Sequence, residues 1–461
     1  MSILQGELND TGMAERFLRL YGADYRFVPD LGFLVWTGTH WAPDKTRTVV
    51  ERVCATVAQV AAATDEMADP KAADVVKRAC ATYGNTARLY AVAKRLESMA
   101  EIATTTEALN ADPYALTYAG GTVDLRTGTA RQHNRADLIT RCAPAADEPM
   151  VTEGRWQTFL AEVFPDEELR DWVQRAVGCS VIGRQDDHVL FIAHGGGANG
   201  KGAFFGALTA ALGLYYAAIP PTFLVESPNT PHPTEVADLM GKRMVVGDEL
   251  PPNRKLDETR VKELTGGSRR IKARFMNKDF FEFAATWTLW ICCNQKPRVT
   301  GTDNGFWRRA RVVPFVRTFA AAEIDRDLPA KLAAERDSIL RWVLDGAVAY
   351  CKDGLGICAA VQTASQAYRA EEDVFGQCLR EIAVDDPTAC ANSSAIVQAV
   401  ANWYTAEGHD HPPTGVKIGR ELRARGYTEG RTSTSRYWQG IALPDRPLPP
   451  RQDWRSKYQE H

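Results

Sequence analysis

The sequence predicts a multidomain α/β protein built round a phosphate-binding loop, and three observations carry that expectation. Residues Val189 to Phe205, VLFIAHGGGANGKGAFF, pass from an apolar run of strand length through a glycine-rich turn into an apolar helix-like segment. Two further apolar runs, Arg243 to Gly247 and Thr286 to Cys293, end on polar residues, as strands of an α/β sheet do where they present groups to a ligand. At 461 residues, 45% hydrophobic and 25% charged, the chain can bury sizeable cores and should divide into about three domains.

Residues 1–150 are expected to form an amino-terminal α+β region. Tyr25-Arg26-Phe27 through Trp41 has the pattern of a β-hairpin, Val49 to Ala103 has helical periodicity, and Gly120 to Gly128 has turn and strand character. Its aromatic residues are expected to be core packing, because Trp and Phe dominate cores.

Residues 151–320 hold the chemistry. Gly195, Gly196, Gly197 and Gly200 carry no Cβ, so the backbone of Gly195-Gly196-Gly197-Ala198-Asn199-Gly200 can curl its N–H groups toward an anion; Lys201 adds a charge and the following helix its dipole. The spacing fits G-x-x-x-x-G-K. That pattern normally closes on Ser or Thr, whose hydroxyl ligates magnesium, and here Gly202 stands in that place. Asp248 and Glu249 follow the second apolar run, where a nucleotidase places a magnesium carboxylate and a water-activating carboxylate. Pro251-Pro252 makes a solvated acidic turn the plainer reading of the same residues. Asn294 ends the third run, and Arg308-Arg309 follows as a pair from which one guanidinium could reach a neighbouring subunit's phosphate.

Between these motifs, Ile271 to Phe275 and Phe280 to Phe283 are β-like runs joined by Met276-Asn277-Lys278-Asp279, a hairpin with a lysine near its tip. From Arg254 through Lys278, nine basic residues stand against three acidic ones, a local balance of +6 in a chain whose net charge is −3. Such a patch, with Arg269, Arg270, Lys272, Arg274 and Lys278 at its centre, would release counterions from a nucleic-acid backbone. Charge runs more often serve only to keep a surface wet.

Residues 321–371 read as a helical connector. Residues 372–443 read as short helices, with Ala395 to Tyr404 and Ile418 to Leu422 at helical spacing, followed by a strand pair over Arg431 to Leu443, which suits a winged helix. From Lys417 onward ten basic residues face five acids, so this region is expected to touch DNA or dock a partner. The tail 444–461, rich in Pro and charge, is expected to be disordered.

Taken in order, these residues resemble the superfamily 3 helicase module of AAA+ type found in the phage, plasmid and poxvirus primase-helicase family, and the resemblance covers most of the chain. It implies an AAA+ P-loop core over 151–320, that family's accessory domain over 1–150, and a winged-helix domain over 372–443. It implies ATP and Mg2+ as cofactors: Gly195 to Gly202 as the Walker A loop, Lys201 on the β- and γ-phosphates, Asp248 on the metal, Glu249 on the attacking water and Asn294 sensing the γ-phosphate. Arg309 would act in trans, with Arg308 the less favoured finger. The hairpin would line the pore of a ring, a hexamer with ATP bound between protomers, and track single-stranded DNA at a fork.

Longer members of that family carry a primase-polymerase domain in front, for which this chain has too few residues, so a separate primase or polymerase is the expected partner. The ten cysteines are dispersed with no C-x-x-C pair, the state of free thiols in a reducing cell. His409 and His411 flank one Asp without a supporting cluster and are expected to be loop residues. The amino terminus has no export signature, and no run reaches the ~18 apolar residues of a membrane span. The expectation is a soluble protein, cytoplasmic in a bacterial host by the resemblance.

Gly202 is expected to weaken turnover rather than abolish it, since water can replace one magnesium ligand. Two other classes stay open. A nucleotide-binding ring scaffold or loader would keep the hairpin and use ATP only as structural glue. A small-molecule P-loop kinase would share the loop and leave the hairpin, Asn294 and Arg308-Arg309 unexplained.

Overall fold

Parallel strands covered on both faces read as unbroken apolar runs, because neither side meets water. The segments LFIAH and TLWICC do so, and the second is buried at all six positions. The computed structural model describes residues 3–145, 154–226, 233–247, 254–266, 270–276, 278–299, 304–409 and 411–444. These divide into two compact units, one of residues up to Pro297 together with Arg308–Gln362, the other of Arg298–Trp307 and the chain from Thr363. The protein is a multidomain α/β chain with a five-stranded parallel sheet in its first unit.

The first unit opens with α1 (Asp10–Tyr21), three strands β1 (Tyr25–Val28), β2 (Gly32–Trp36) and β3 (Trp41–Pro43), and helices α2 (Thr48–Ala63), α3 (Pro70–Ala81) and α4 (Thr86–Leu96). The expected hairpin at Tyr25 is thus a three-stranded antiparallel sheet, extended by Trp41–Pro43. Phe17, Val53, Val60, Val92 and Leu96 form its core. Arg16 is buried there, and its guanidinium donates to the carbonyls of Ile3, Glu7 and Gly12 at 2.6–2.8 Å, which ties the first residues of the chain to α1. A second antiparallel sheet follows, β4 (Ala115–Tyr118), β5 (Gly121–Asp124) and β6 (Thr129–Arg131).

Helices α5 (Arg155–Val163) and α6 (Glu167–Ser180) lead into β7 (Leu190–His194), α7 (Lys201–Leu212), β8 (Tyr216–Ile219), α8 (Pro233–Ala237), β9 (Met244–Gly247) and α9 (Glu258–Leu264). The hairpin β10 (Arg270–Ala273) and β11 (Phe281–Ala284) comes next, then β12 (Thr288–Cys293), α10 (Asn304–Trp307) and β13 (Ala310–Pro314). The parallel sheet runs in the order β13-β7-β12-β9-β8, so β12 separates β7 from β9. Cys293 is in register with His194, as is Pro314, which brings three strands to one carboxyl edge.

Beyond it lie α11 (Leu328–Ala334), α12 (Arg336–Asp353) and α13 (Ala359–Glu372). The core joins the sheet to α5, α6, α7 and α12 through large rings: Phe191 against Trp290 at 4.5 Å, Phe164 against Phe315 at 4.8 Å and Trp156 against Trp342 at 5.3 Å. Where α6 meets α12, a Cβ on Gly178 would overlap the backbone of Gly346 and Ala347, and one on Gly346 would overlap the carbonyl of Gln174. The two helices touch backbone to backbone.

In the second unit Trp307 of α10 packs edge-on against Tyr368 at 5.2 Å, and Arg369 donates to Asn304 Oδ1 at 2.7 Å. Elements α14 (Val374–Ile382), β14 (Val384–Asn392), α15 (Ser393–Ala406), α16 (Gly415–Ala424), β15 (Thr428–Arg431) and β16 (Arg436–Ala442) form three helices on an antiparallel sheet of order β14-β16-β15. Ile396, Val400, Ile418, Leu422, Trp438 and Ile441 are its core. The two expected helices are present, the strand pair expected over Arg431 to Leu443 starts earlier, with β15 at Thr428–Arg431 and β16 at Arg436–Ala442, and β14 is an added strand. His409 stacks on Trp403, and among the described residues no cluster of three His, Cys, Asp or Glu could hold a metal. The tail from 445 onward lies outside the described residues. All ten cysteines are free.

Candidate nucleotide and nucleic-acid site

The loop from Gly195 to Gly200 leaves the carboxyl end of β7 and enters α7 at Lys201. Two residues take the left-handed backbone that the curl requires, Ala198 at φ 54° and Gly200 at φ 83°. Gly195 is needed for close approach, since a Cβ there would overlap the carbonyl of Phe315. Gly200 has both constraints, with Val163 Cγ2 only 2.7 Å from where its Cβ would stand. The loop is braced from within by Asn199, 4% exposed, whose amide donates to the Gly196 carbonyl, and from outside by the Phe319 N–H, which donates to Ala198 O at 2.8 Å.

Lys201 is 5% exposed, and its ammonium donates to Gly195 O at 2.6 Å and to Asn294 Oδ1 at 3.0 Å. Asn294 reaches it because β12 lies beside β7 in register, which sets its last residue next to His194. Gly195 to Gly202, Lys201 and Asn294 therefore converge at one sheet edge. Cys293, one residue before Asn294, has its thiol pushed up to about 12 by burial, with Cys292 adding to the effect and Lys201 opposing it. By its chemistry the loop fits an anion: backbone N–H groups at a helix start, an ammonium, and nearby carbonyls that an incoming phosphate would replace as partners of Lys201.

Gly202 lies in the first turn of α7, and a Cβ there would meet no atom within 4 Å. Asp248 and Glu249 lie outside the described residues; β9 ends immediately before them at Gly247, in register with Ile291 of β12.

Arg308 and Arg309 stand at the amino end of β13, where the Arg309 carbonyl accepts from Leu190 N at the start of β7. This is the opposite end of β7 from Lys201, roughly 15 Å away at about 3.3 Å per residue. Arg308 is exposed and Arg309 is 8% exposed.

The expected basic hairpin is present as β10 and β11, paired from Arg270 opposite Ala284 to Ala273 opposite Phe281. Strand alternation splits it into two faces. Phe281 and Phe283 are buried and continue a stack from Phe275 toward Trp287. Lys272 and Glu282 lie on the outer face, Arg270 is tied to Glu107 at 2.6 Å, and Lys278 sits in the turn, where its N–H donates to Phe275 O at 3.1 Å. Arg269 lies outside the described residues. Charge spacing does not single out Phe280, which is 48% exposed with Lys272 Nζ 4.9 Å and Arg274 Cζ 5.0 Å from its ring centre. Its signal in the sequence is an aromatic residue that directly follows the charged pair Lys278-Asp279 at the end of the turn.

Comparison with known proteins gives two family matches: residues 14–165 match the family described as D5 N terminal like, and residues 193–309 match a family of unknown function, DUF5906. The chain is 25% identical over 321 residues to a provisionally named helicase of Acanthamoeba polyphaga mimivirus, covering 64% of this chain and 33% of that protein. It is 28% identical over 239 residues to a provisionally named helicase of Invertebrate iridescent virus 6, covering 49% and 24%. It is 22% identical over 349 residues to a provisionally named primase of African swine fever virus, strain Badajoz 1971 Vero-adapted, covering 68% and 36%. The chain thus spans a quarter to just over a third of the length of these relatives. Among solved structures, the A form apo structure of the NrS-1 C terminal region aligns over 94% of this chain and all of that one, at 11% identity and a TM-score of 0.48. No helix among the described residues is long and apolar enough to cross a membrane.

Proposed function

Because the chain belongs to the phage and viral primase-helicase family, we propose that it is an ATP-driven, ring-forming DNA helicase of superfamily 3, AAA+ type, moving on single-stranded DNA. One observation carries the reading: Lys201 and Asn294 meet at the carboxyl edge of a parallel sheet in which β12 separates the P-loop strand from the strand preceding Asp248. A strand inserted there delivers a polar side chain beside the glycine-rich loop, which suits phosphoryl transfer to water.

On this reading the backbone N–H groups of Gly195 to Gly202 and the Lys201 ammonium hold the β- and γ-phosphates of ATP. Asp248 holds Mg2+, Glu249 takes the proton of the attacking water, and Asn294 orients the γ-phosphate. Magnesium supplies charge neutralisation on the bridging oxygens. The trans guanidinium falls to Arg308 in place of Arg309, because a side chain that must enter a neighbour's cleft has to be exposed in the free chain, and Arg309 is buried. Their position at the far end of β7 from Lys201 supports a site completed by a second copy, hence a ring, by resemblance a hexamer. The hairpin, with Lys272, Arg274, Lys278, Arg269 and Arg270, is the surface for the DNA backbone, and the second unit's helices and β15–β16 pair serve as a winged helix.

Gly202 supports a second reading, a nucleotide-binding scaffold or loader that holds ATP without turning it over at speed. A forked substrate, ATP and magnesium, with wild type and Lys201→Ala compared, separate the two. Strand displacement by wild type and none by Lys201→Ala is the expected result. ATP-dependent DNA retention with no displacement by either would overturn the helicase reading in favour of the scaffold.

A further inference from the structure

The hairpin's inner and outer faces are used differently. Inward, Phe275, Phe281 and Phe283 stack and Phe283 meets Trp287 at a tilt, with ring centres 5.2–6.0 Å apart, which anchors the two strands to the body of the unit. Outward, at the turn, Phe280 lies beside Lys272 and Arg274, and Met276 beside the same turn is 73% exposed. An aromatic ring needed only for folding would be expected in the inner stack. Phe280 instead is 48% exposed, with two cations within 5.0 Å of its ring centre.

We infer that Phe280 is a base-stacking platform for single-stranded nucleic acid, with Lys272 and Arg274 holding the phosphates on either side of the stacked nucleotide. This rests on the hairpin's nucleic-acid role proposed above and adds that the hairpin grips bases as well as backbone. The chemistry agrees with both parts. Every base offers a π face to an aromatic ring whatever its sequence, and the flanking cations, already drawn to the ring, are placed to meet the anionic linkages on each side. Duplex DNA hides its base faces, so the platform selects unpaired strands.

The test uses the full chain and two oligonucleotides of equal length and charge, one of thymidine and one of abasic residues, with affinity measured by fluorescence anisotropy over a range of salt. Wild type should bind the thymidine strand roughly tenfold tighter than the abasic one, within the range of one base–aromatic stack. Phe280→Ala should lose about that factor on thymidine, nothing on the abasic strand, and keep the wild-type salt slope. Phe280→Tyr should restore it. Lys272→Ala should weaken both strands and lower the slope by about 0.7, one phosphate contact on a single strand. Equal losses on both strands for Phe280→Ala, or no loss on either, overturns the platform while the Lys272 result still stands for the hairpin. A wild-type chain that retains neither strand overturns the hairpin's role and the platform with it.

Discussion

Lys201 and Asn294 are 93 residues apart in sequence and 3.0 Å apart in space, the ammonium donating to the amide oxygen. The contact lies at the carboxyl edge of the adjacent parallel strands β7 and β12, which are in register up to Cys293 opposite His194. Asn294→Ala should leave nucleotide affinity within a few-fold of wild type and lower turnover roughly 100-fold, the usual cost of one transition-state partner. Asn294→Asp should differ: a carboxylate there pairs with Lys201 and repels the γ-phosphate, so affinity falls as well. A fluorescent ATP analogue and steady-state phosphate release measure the two quantities separately.

Gly202→Ser has room for its side chain, since no atom lies within 4 Å of the position its Cβ would take. Its hydroxyl would supply the magnesium ligand that the P-loop pattern normally provides. Magnesium-dependent ATP hydrolysis should rise several-fold, and the melting temperature should rise slightly, because Gly in a helix costs about 0.5 kcal/mol relative to Ser. A variant no faster than wild type would show that the missing hydroxyl does not limit turnover.

Arg308→Ala should lower ATP turnover about 1,000-fold without changing nucleotide affinity, as loss of an arginine finger does. Mixing it with Lys201→Ala should recover part of the activity, because some interfaces then pair an intact loop with an intact finger. Arg309→Ala should act on stability instead, since it removes a buried guanidinium. Equal turnover defects from both variants, with no recovery on mixing, would remove the trans assignment.

Alkaline pH should destabilise the first unit. Burial pushes the thiols of Cys179 and Cys293 from 9 up to about 12, so the unfolded chain loses these protons first. Their contribution is fully present below pH 9 and is lost as pH rises toward 12. Lys242 acts in the opposite sense: burial lowers its ammonium from 10.5 to about 8, so folding gains between those values. The urea midpoint should therefore fall most steeply above about pH 10.5.

The parts of the site legible in sequence were those encoded locally. The glycine-rich loop is a contiguous string whose glycines meet the steric needs seen at Gly195 and Gly200, and the hairpin announced itself by β-like runs around a short polar turn. The parallel strands were readable because burial on both faces leaves no polar alternation. Strand β14 was not readable, since it is mostly exposed, contains Asp385, Asp386 and Pro387, and changes register between Asp386 and Cys390. Nor could spacing decide between Arg308 and Arg309, because which of two adjacent arginines turns inward depends on the strand that β13 joins. The packing of Trp307 against Tyr368 brings together residues 61 positions apart, a distance no local pattern spans.

The crossing of α6 and α12 has a mechanical consequence. With Gly178 and Gly346 interlocked and no side chain between them, the two rods behave as a riveted joint: they cannot roll past one another, and even a methyl group at either position would pry them apart. Since α12 also borders α7, whose first residue is Lys201, this joint fixes the helix on which the glycine-rich loop ends.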